Sequence, residues 1–300
     1  MPQTQAIPRK VTISEWVEQV RADPVRYLER QVTEILLHAI GITPVLNESL
    51  VLKGGILMSL AHGSRRQTGD VDFTAIVDPE PYASKLRETL NGALPRAAAD
   101  LGYTDIVCAV QRLVYKPRPE GFPEFTAPAL RLTIGFAHRG EADEARLKEG
   151  QSTRVLQLDI SFKEQVVHPT ELVINEPEVS IRAYSAEEII AEKLRALLQQ
   201  PVRNRTRRQD VYDIDWLVTR YQPDEAMRAR ILDALLVKSA DREIEPTQSS
   251  FDDPRVKEKA QAEWDTMRLE IGGALPEFEP TYQQIVVFYK SLPWSEGNGA

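Results

Sequence analysis

Cysteine is almost absent: Cys108 stands alone in 300 residues, so no disulfide can close within the chain and no cysteine-rich zinc site can form. That usage fits a reducing cytosol, and Cys108 itself reads as packing within the apolar run Ile106 to Val110. Histidine is scarce too, and His38, His62, His138 and His168 have no metal-ligand spacing. No apolar run approaches the length of a membrane span, and the opening MPQTQAIPRK lacks the apolar core of a signal peptide. The expectation is a soluble, cytoplasmic protein without a membrane partner. Positive charge is outnumbered, with 37 Lys and Arg against 45 Asp and Glu and a net charge of -8. Phosphate binding needs Lys and Arg to displace counterions, so this balance argues against a surface that grips nucleic acid everywhere, and any such site must be local. Internal repeats are absent, and low complexity is confined to short polar tails. A hydrophobic content of 42% argues against disorder and is enough to bury one large or two modest domains.

What is present concentrates between Leu50 and Ile76, LVLKGGILMSLAHGSRRQTGDVDFTAI. Leu50-Val51-Leu52 is a short apolar run that stops at Lys53-Gly54-Gly55. Ile56, Leu57, Leu60 and Ala61 then recur at helical spacing, so the two glycines sit where a strand turns into a helix. Lacking Cβ, they let backbone N–H groups come close to an anion at the positive helix end, which suits phosphate. A polar loop from Gly63 to Gly69 carries Arg65 and Arg66, and His62 beside it is the one histidine placed to approach a nucleotide. In the strand that follows, Asp70-Val71-Asp72-Phe73-Thr74-Ala75-Ile76, side chains two apart share a face. Asp70 and Asp72 therefore point one way and Val71 and Phe73 the other. Two adjacent carboxylates repel unless a cation lies between them, and a hard oxygen site suits Mg²⁺ (or Mn²⁺), which takes substrate phosphates as further ligands. Alone, a Gly-Gly before a helix is a tight turn and an Asp-x-Asp a solvated strand face. Their order and spacing together carry the functional reading.

A glycine pair after a strand, a helix, and then D-h-D-h with h apolar resembles the DNA polymerase β-like nucleotidyltransferase superfamily. Within it, KGG and HGSRRQTGDVDF resemble the AbiEii/AbiGii toxin family of abortive-infection toxin–antitoxin pairs, which includes the mycobacterial MenT toxins. The chain departs from the family at Ile56, where Thr usually follows the glycines, so one hydroxyl group that could bond to phosphate is missing.

Upstream, Thr12 to Ala39 has helical spacing in two segments, the second opened by Pro24, and reads as scaffold over the back of a sheet. Pro79 to Leu101 is also helical, with Pro95 expected to end or kink it. Ile106 to Tyr115, Ala129 to Ala137 and Val155 to Phe162 are rich in β-branched or alternating apolar residues and read as strands that extend the sheet. In the last of these, Leu156, Leu158, Ile160 and Phe162 share one face, leaving Gln157, Asp159 and Ser161 on the other. A single Asp on a polar face carries little information, but Asp159 resembles the family's third carboxylate. That resemblance implies a metal ligand that also accepts the proton of an attacking hydroxyl.

Strand-like runs end near Ile181 to Ser185, where a lobe boundary is placed between residues 1–183 and residues 184–300. Ser185-Ala186-Glu187-Glu188 has the spacing of a capping box and should open a helix through Ile189, Ile190, Leu194, Leu197 and Leu198. On it, Glu192-Lys193-Leu194 with Ala196 resembles the family's E-K-L-x-A signature, which implies that Lys193 reaches a triphosphate. A lone helical lysine is otherwise a surface residue paired with Glu192 or Glu188. Next comes the densest basic cluster, with Arg203, Arg205, Arg207 and Arg208, running into Asp210-Val211-Tyr212-Asp213 and resembling the family's R-x-x-D-h-h-D stretch. Asp210 and Asp213 share a helix face, Asp210 being the better placed to hold Lys193 or to sit near the metal. A helix-start carboxylate favoured by the dipole is an equal reading of Asp213. The four arginines are open to triphosphate, to RNA or to no ligand. Ala226 to Lys238, Val256 to Ile271 and Tyr282 to Leu292 read as further helices anchored by Trp264, Phe288 and Tyr289, after which Pro293 to Ala300 reads as a loose tail.

The fold expected is α/β (α+β), a polymerase β-like lobe with a mixed sheet followed by a helical lobe, with the active site in the cleft between them. The resemblance implies transfer of an NMP from an NTP with Mg²⁺, using Asp70, Asp72, Asp159, Lys193 and Asp210. Lys53, Gly54, Gly55, Arg65, Arg66 and Lys193 would lie on the nucleotide. It further implies a tRNA 3′ end as acceptor, whose blocking would stop translation, and an antitoxin encoded nearby. Two other readings stay open: transfer to a protein or small-molecule hydroxyl, and a non-catalytic nucleotide-binding protein of the same fold.

Overall fold

The computed structural model describes residues 9–174 and 178–295. The chain divides into two compact units. The first comprises the chain up to Ala61, Gly69–Glu164 and Thr170–Ala183, and the second His62–Thr68, Gln165–Pro169 and the chain from Tyr184.

The first unit is an α/β layer structure. Its elements are β1 (Arg9–Val11), α1 (Ile13–Glu18), α2 (Pro24–Gly41), α3 (Pro44–Asn47), β2 (Leu50–Lys53), α4 (Gly54–His62), β3 (Asp70–Ala75), α5 (Pro79–Asp100), β4 (Ile106–Lys116), β5 (Ala129–His138), α6 (Ala142–Lys148), β6 (Val155–Phe162), β7 (Pro169–Ile174) and β8 (Val179–Tyr184). Eight strands form one mixed sheet in the order β1-β7-β8-β2-β3-β6-β5-β4. Alternation decides which face is wet. Val71 and Phe73 of β3, Leu158, Ile160 and Phe162 of β6, and Leu130, Leu132 and Ile134 of β5 are all fully buried. The helices α2 and α5 pack on one another and reach the sheet at β6 and β4. Pro24 does open α2, with the Asp23 side chain accepting the N–H groups of Val25 and Arg26 as its cap.

The strands expected at Ile106, Ala129 and Val155 are present, whereas β1, β7 and β8 are additions. The turn-bounded runs Thr170 to Ile174 and Val179 to Tyr184 carry the β-branched, alternating pattern that would have identified β7 and β8. Pro95 does not end α5, which continues to Asp100, and the non-helical backbone falls at Glu80. Burial of Leu90, Ala93, Leu94, Ala97 and Ala98 on both sides of Pro95 holds the segment helical against the proline's local cost.

The second unit is helical, with α7 (Ala186–Arg203), α8 (Arg208–Tyr221), α9 (Glu225–Ala240), α10 (Pro254–Gln261) and α11 (Phe278–Lys290). The helix expected from Val256 to Ile271 is broken: α10 stops at Gln261, Glu263 takes a left-handed backbone with φ of 61°, and a 3-10 segment runs from Trp264 to Leu269. Trp264 donates its indole N–H to the Pro276 carbonyl and stacks edge-on against Phe278, which favours the break. Trp264, Phe288 and Tyr289 are buried as anchors. Ser185 caps α7 by accepting the Glu188 N–H, but the Glu188 carboxylate does not close a capping box. It is fully buried, accepts the N–H groups of Val167 and His168, and pairs with Lys238 at 2.7 Å. Of the tail expected at Pro293 to Ala300, residues 296–300 lie outside the described residues, as do residues 1–8 of the opening segment read for a signal peptide. Among the described residues no helix is long and apolar enough to cross a membrane.

Replacing the exposed Pro95 with Ala should restore the missing N–H donor and raise the thermal unfolding midpoint, by about 1–3 kcal/mol of stability. A lower midpoint for Pro95→Ala would show that the ring is required where it stands.

Candidate active site

Within the first unit, β3 and β6 run parallel and in register, so Asp70 lies beside Gln157 and Asp72 beside Asp159. The apolar partners of these residues fill the other face, leaving three carboxylates on the open side of two adjacent strands. Lys53 of β2 lies opposite Asp72, and Arg131 of β5 lies opposite Asp159. Partial desolvation of the Asp70 carboxyl, reinforced by the Asp159 charge and opposed by Arg131 and Lys116, pushes its pKa above the ordinary range.

Gly54 opens α4 with φ of +74°, and a Cβ placed on it would come within 2.1 Å of the Asp72 carboxylate. No other residue type fits without moving Asp72, so the first glycine of the pair serves the carboxylate as well as the turn. Gly55 and Ile56 are buried in the first turn of the same helix. Lys53 donates to Ser161 Oγ at 2.8 Å and pairs with Glu164, whose carboxylate also accepts from Thr74 Oγ1 at 3.1 Å. Asp159 accepts a two-pronged bond from Arg131, Nε to Oδ1 at 2.7 Å and Nη2 to Oδ2 at 2.5 Å. Among the described residues no group of three or more His, Cys, Asp and Glu forms a metal centre. Asp70 and Asp72, two like charges on one strand face, suit a divalent cation, and both oxygens of Asp159 are engaged by the Arg131 guanidinium.

Within the second unit, Lys193 is one of four members of a buried charge cluster. Its ammonium lies 2.7 Å from Asp210 and 2.8 Å from Asp213, and Asp213 also accepts Nε and Nη2 of Arg66 at 3.1 and 2.9 Å. Burial opposes the charge on Lys193, but the two carboxylates outweigh it and hold its pKa above the usual lysine range. Burial likewise works against the Asp213 charge, and Lys193 and Arg66 overcome it and hold that carboxyl below the usual range. The signature lysine thus pairs with Asp210 and Asp213, and Glu188 and Glu192 face Lys238 instead. Asp213, left open as a helix-start residue, is the most buried member of the cluster. Arg66 is held in place by Asp213, while Arg65 is exposed, its carbonyl accepting the Gly272 N–H. His62 is buried, its Nδ1 lying 2.8 Å from the Tyr221 hydroxyl. Arg203, Arg205 and Arg207 are exposed where α7 passes to α8, and Arg208 pairs with Glu263 and Glu270. Burial lowers the Arg203 pKa, and the like charges of Arg242, Arg205, Arg195 and Arg207 add to it.

The model of the family described as nucleotidyl transferase AbiEii toxin, type IV TA system, matches residues 36–287. The chain belongs to the AbiEii toxin family. Its members are nucleotidyltransferase toxins of type IV toxin–antitoxin systems. Among solved structures the chain is similar to the crystal structure of JHP933 from Helicobacter pylori, at 17% identity and a TM-score of 0.48, with 90% of this chain and 92% of that chain covered. No curated protein sequence matches it. The AbiEii match spans both the carboxylate strand and the Lys193 cluster. Sequence reasoning passed over Arg131, Lys116, Glu164 and the central place of Asp213. For Arg131 the one available signal was a charged residue on the polar face of an alternating strand, Leu130-Arg131-Leu132-Thr133-Ile134.

Three outcomes are expected here. Gly54→Ala should lose transfer activity and melt earlier although Asp72 itself is unchanged, and normal activity in this variant would show that the carboxylate can move aside. Asp213→Ala, which strands Lys193 and Arg66 beside Asp210 alone, should cost about 3–5 kcal/mol. Because the folded Asp213 pKa is depressed, its stabilisation is fully present above the unfolded carboxylate pKa and is lost as pH falls through the folded value. Chemical denaturation of the parent should therefore show a loss of stability in acid that Asp213→Asn lacks.

Proposed function

We infer that the protein transfers an NMP from an NTP to an RNA acceptor, the 3′ end of a tRNA, and so blocks translation until its antitoxin counters it. The observation that carries this reading is the pair Asp70 and Asp72 on the open face of β3, with Gly54 pressed against Asp72. Bound Mg²⁺, held by Asp70 and Asp72, would neutralise phosphate charge and polarise the α-phosphate. In the reaction the acceptor oxygen bonds to the α-phosphorus, the bond from that phosphorus to the bridging oxygen breaks, and pyrophosphate leaves. A carboxylate of the same face takes the hydroxyl proton. Gly55 and the start of α4 supply backbone donors for phosphate. Lys53 is the cation of the carboxylate-bearing unit assigned to the nucleotide, and within the helical unit Asp210 and Asp213 hold Lys193 and Arg66 in position. The crowding of Arg195, Arg203, Arg205, Arg207 and Arg242 in a chain of net charge -8 favours an anionic polymer as acceptor over a small molecule.

Incubation with each labelled NTP, Mg²⁺ and total cellular RNA or protein tests the reading. Label should enter small RNA, and Asp70→Ala or Asp72→Ala should abolish both transfer and growth inhibition with the fold intact by circular dichroism. Label found only in protein would move the acceptor to a protein hydroxyl, and near-normal activity of either variant would remove the carboxylates from the chemistry. Replacing Arg203 and Arg205 together should weaken RNA binding and flatten its log–log salt dependence by about one unit for each phosphate no longer bound, with NTP affinity nearly unchanged. An unchanged slope would take these two arginines out of the RNA site.

A further inference from the structure

On the open face of the sheet the charges are graded across the strands. Asp70 and Asp72 stand on β3, Asp159 on β6, Arg131 on β5, and Lys116 at the end of β4, with its Nζ 3.9 Å from Asp159 Oδ1. Arg131 shares its face with Thr133, whose hydroxyl lies 3.3 Å from Gln157, while its neighbours Leu130 and Leu132 are buried. Both Asp159 oxygens are engaged by one edge of the guanidinium, and Nη1 makes no hydrogen bond among the described residues. The Asp159 bonds, together with the fields of Asp159, Asp70 and Asp72, hold the Arg131 pKa above its usual value against partial burial.

A divalent cation brought to Asp159 would meet a guanidinium already covering both oxygens and an ammonium beside it, and like charges repel. A phosphate chain meets the opposite situation: a planar fork whose orientation is fixed by a carboxylate, half exposed, with a second cation next to it. We propose that Asp159 is a positioning residue rather than a metal ligand, and that Arg131, with Lys116, binds the phosphate chain of the nucleoside triphosphate. This rests on the nucleotidyltransferase reading and assigns the metal to Asp70 and Asp72. Asp159 and Arg131 then act as one unit, and the second positive centre on this face is a side chain.

The test separates metal from phosphate and uses the full-length protein without turnover. Mn²⁺ alone is titrated and followed by electron paramagnetic resonance, and tripolyphosphate is titrated calorimetrically in the presence of Mn²⁺. Asp72→Asn should weaken Mn²⁺ binding about tenfold or more, and Asp159→Asn should leave it within about threefold. Arg131→Ala should weaken tripolyphosphate about tenfold, with Arg131→Lys recovering part of the loss because charge returns without the fork. Asp159→Asn should weaken tripolyphosphate as well, since Arg131 loses its clamp. Loss of Mn²⁺ binding in Asp159→Asn equal to that in Asp72→Asn would make Asp159 a metal ligand and overturn the proposal. So would parental tripolyphosphate binding by Arg131→Ala. Parental Mn²⁺ binding by both Asp70→Asn and Asp72→Asn would instead defeat the metal site on which the nucleotidyltransferase reading stands, a result distinct from the other two.

Discussion

Asp72 lies so close to the start of α4 that a single methyl group on Gly54 would overlap its carboxylate. Much else on the sheet follows from fixing that carboxylate. Once Asp72 is held on the open side, the two-residue period of β3 commits Asp70 to the same side and Val71 and Phe73 to the core. Parallel pairing with β6 then adds Asp159 to the row. A concentration of negative charge on one face has to be matched, and the protein's own share of the match is Lys53 on one flank and Arg131 with Lys116 on the other.

The helical unit meets the reverse condition. There the charges are shut away from water, so they are stable only as a set. Lys193 and Arg66 share Asp213, and Asp210 supplies the second negative charge. Taking two cations and two carboxylates out of water is costly, and removing any one of them leaves a charge without its counterpart. A lysine held this way keeps one position and one protonation state.

Periodicity alone makes the carboxylate strand readable. Val71 and Phe73 alternate with Asp70 and Asp72, Leu156, Leu158 and Ile160 alternate with Gln157 and Asp159, and Ser185 marks the start of α7. These features are local, and one residue's neighbours in the chain suffice to place it. What stayed hidden is set by partners far away in sequence. Arg131 meets Asp159 only through the β5–β6 register, and Asp213 meets Arg66 across 147 positions of chain. The outer strands β1 and β7 pair in parallel with each other although most of the first unit's chain lies between them, so neither announces its neighbour. Pro95 and Glu263 are cases where tertiary packing overrode backbone preference: a proline kept inside a helix, and a left-handed turn at a residue that is neither Gly nor Asn.

The second unit recruits the short segment His62–Thr68 from the first third of the chain. Trp216 of α8 donates to the His62 carbonyl, Gln67 donates to the Glu270 carbonyl, and Arg66 is bound to Asp213. On the ribosome, this loop emerges long before any of those partners exist. Arg66 stays hydrated and the loop unanchored until α8 has left the exit tunnel, and the hydrogen bond from Gln67 waits for Glu270, close to the end of the described chain. Order in the loop that leads into Asp70 is therefore a late event of synthesis, and a truncated or still-growing chain carries the carboxylates without the bonds that settle the segment before them.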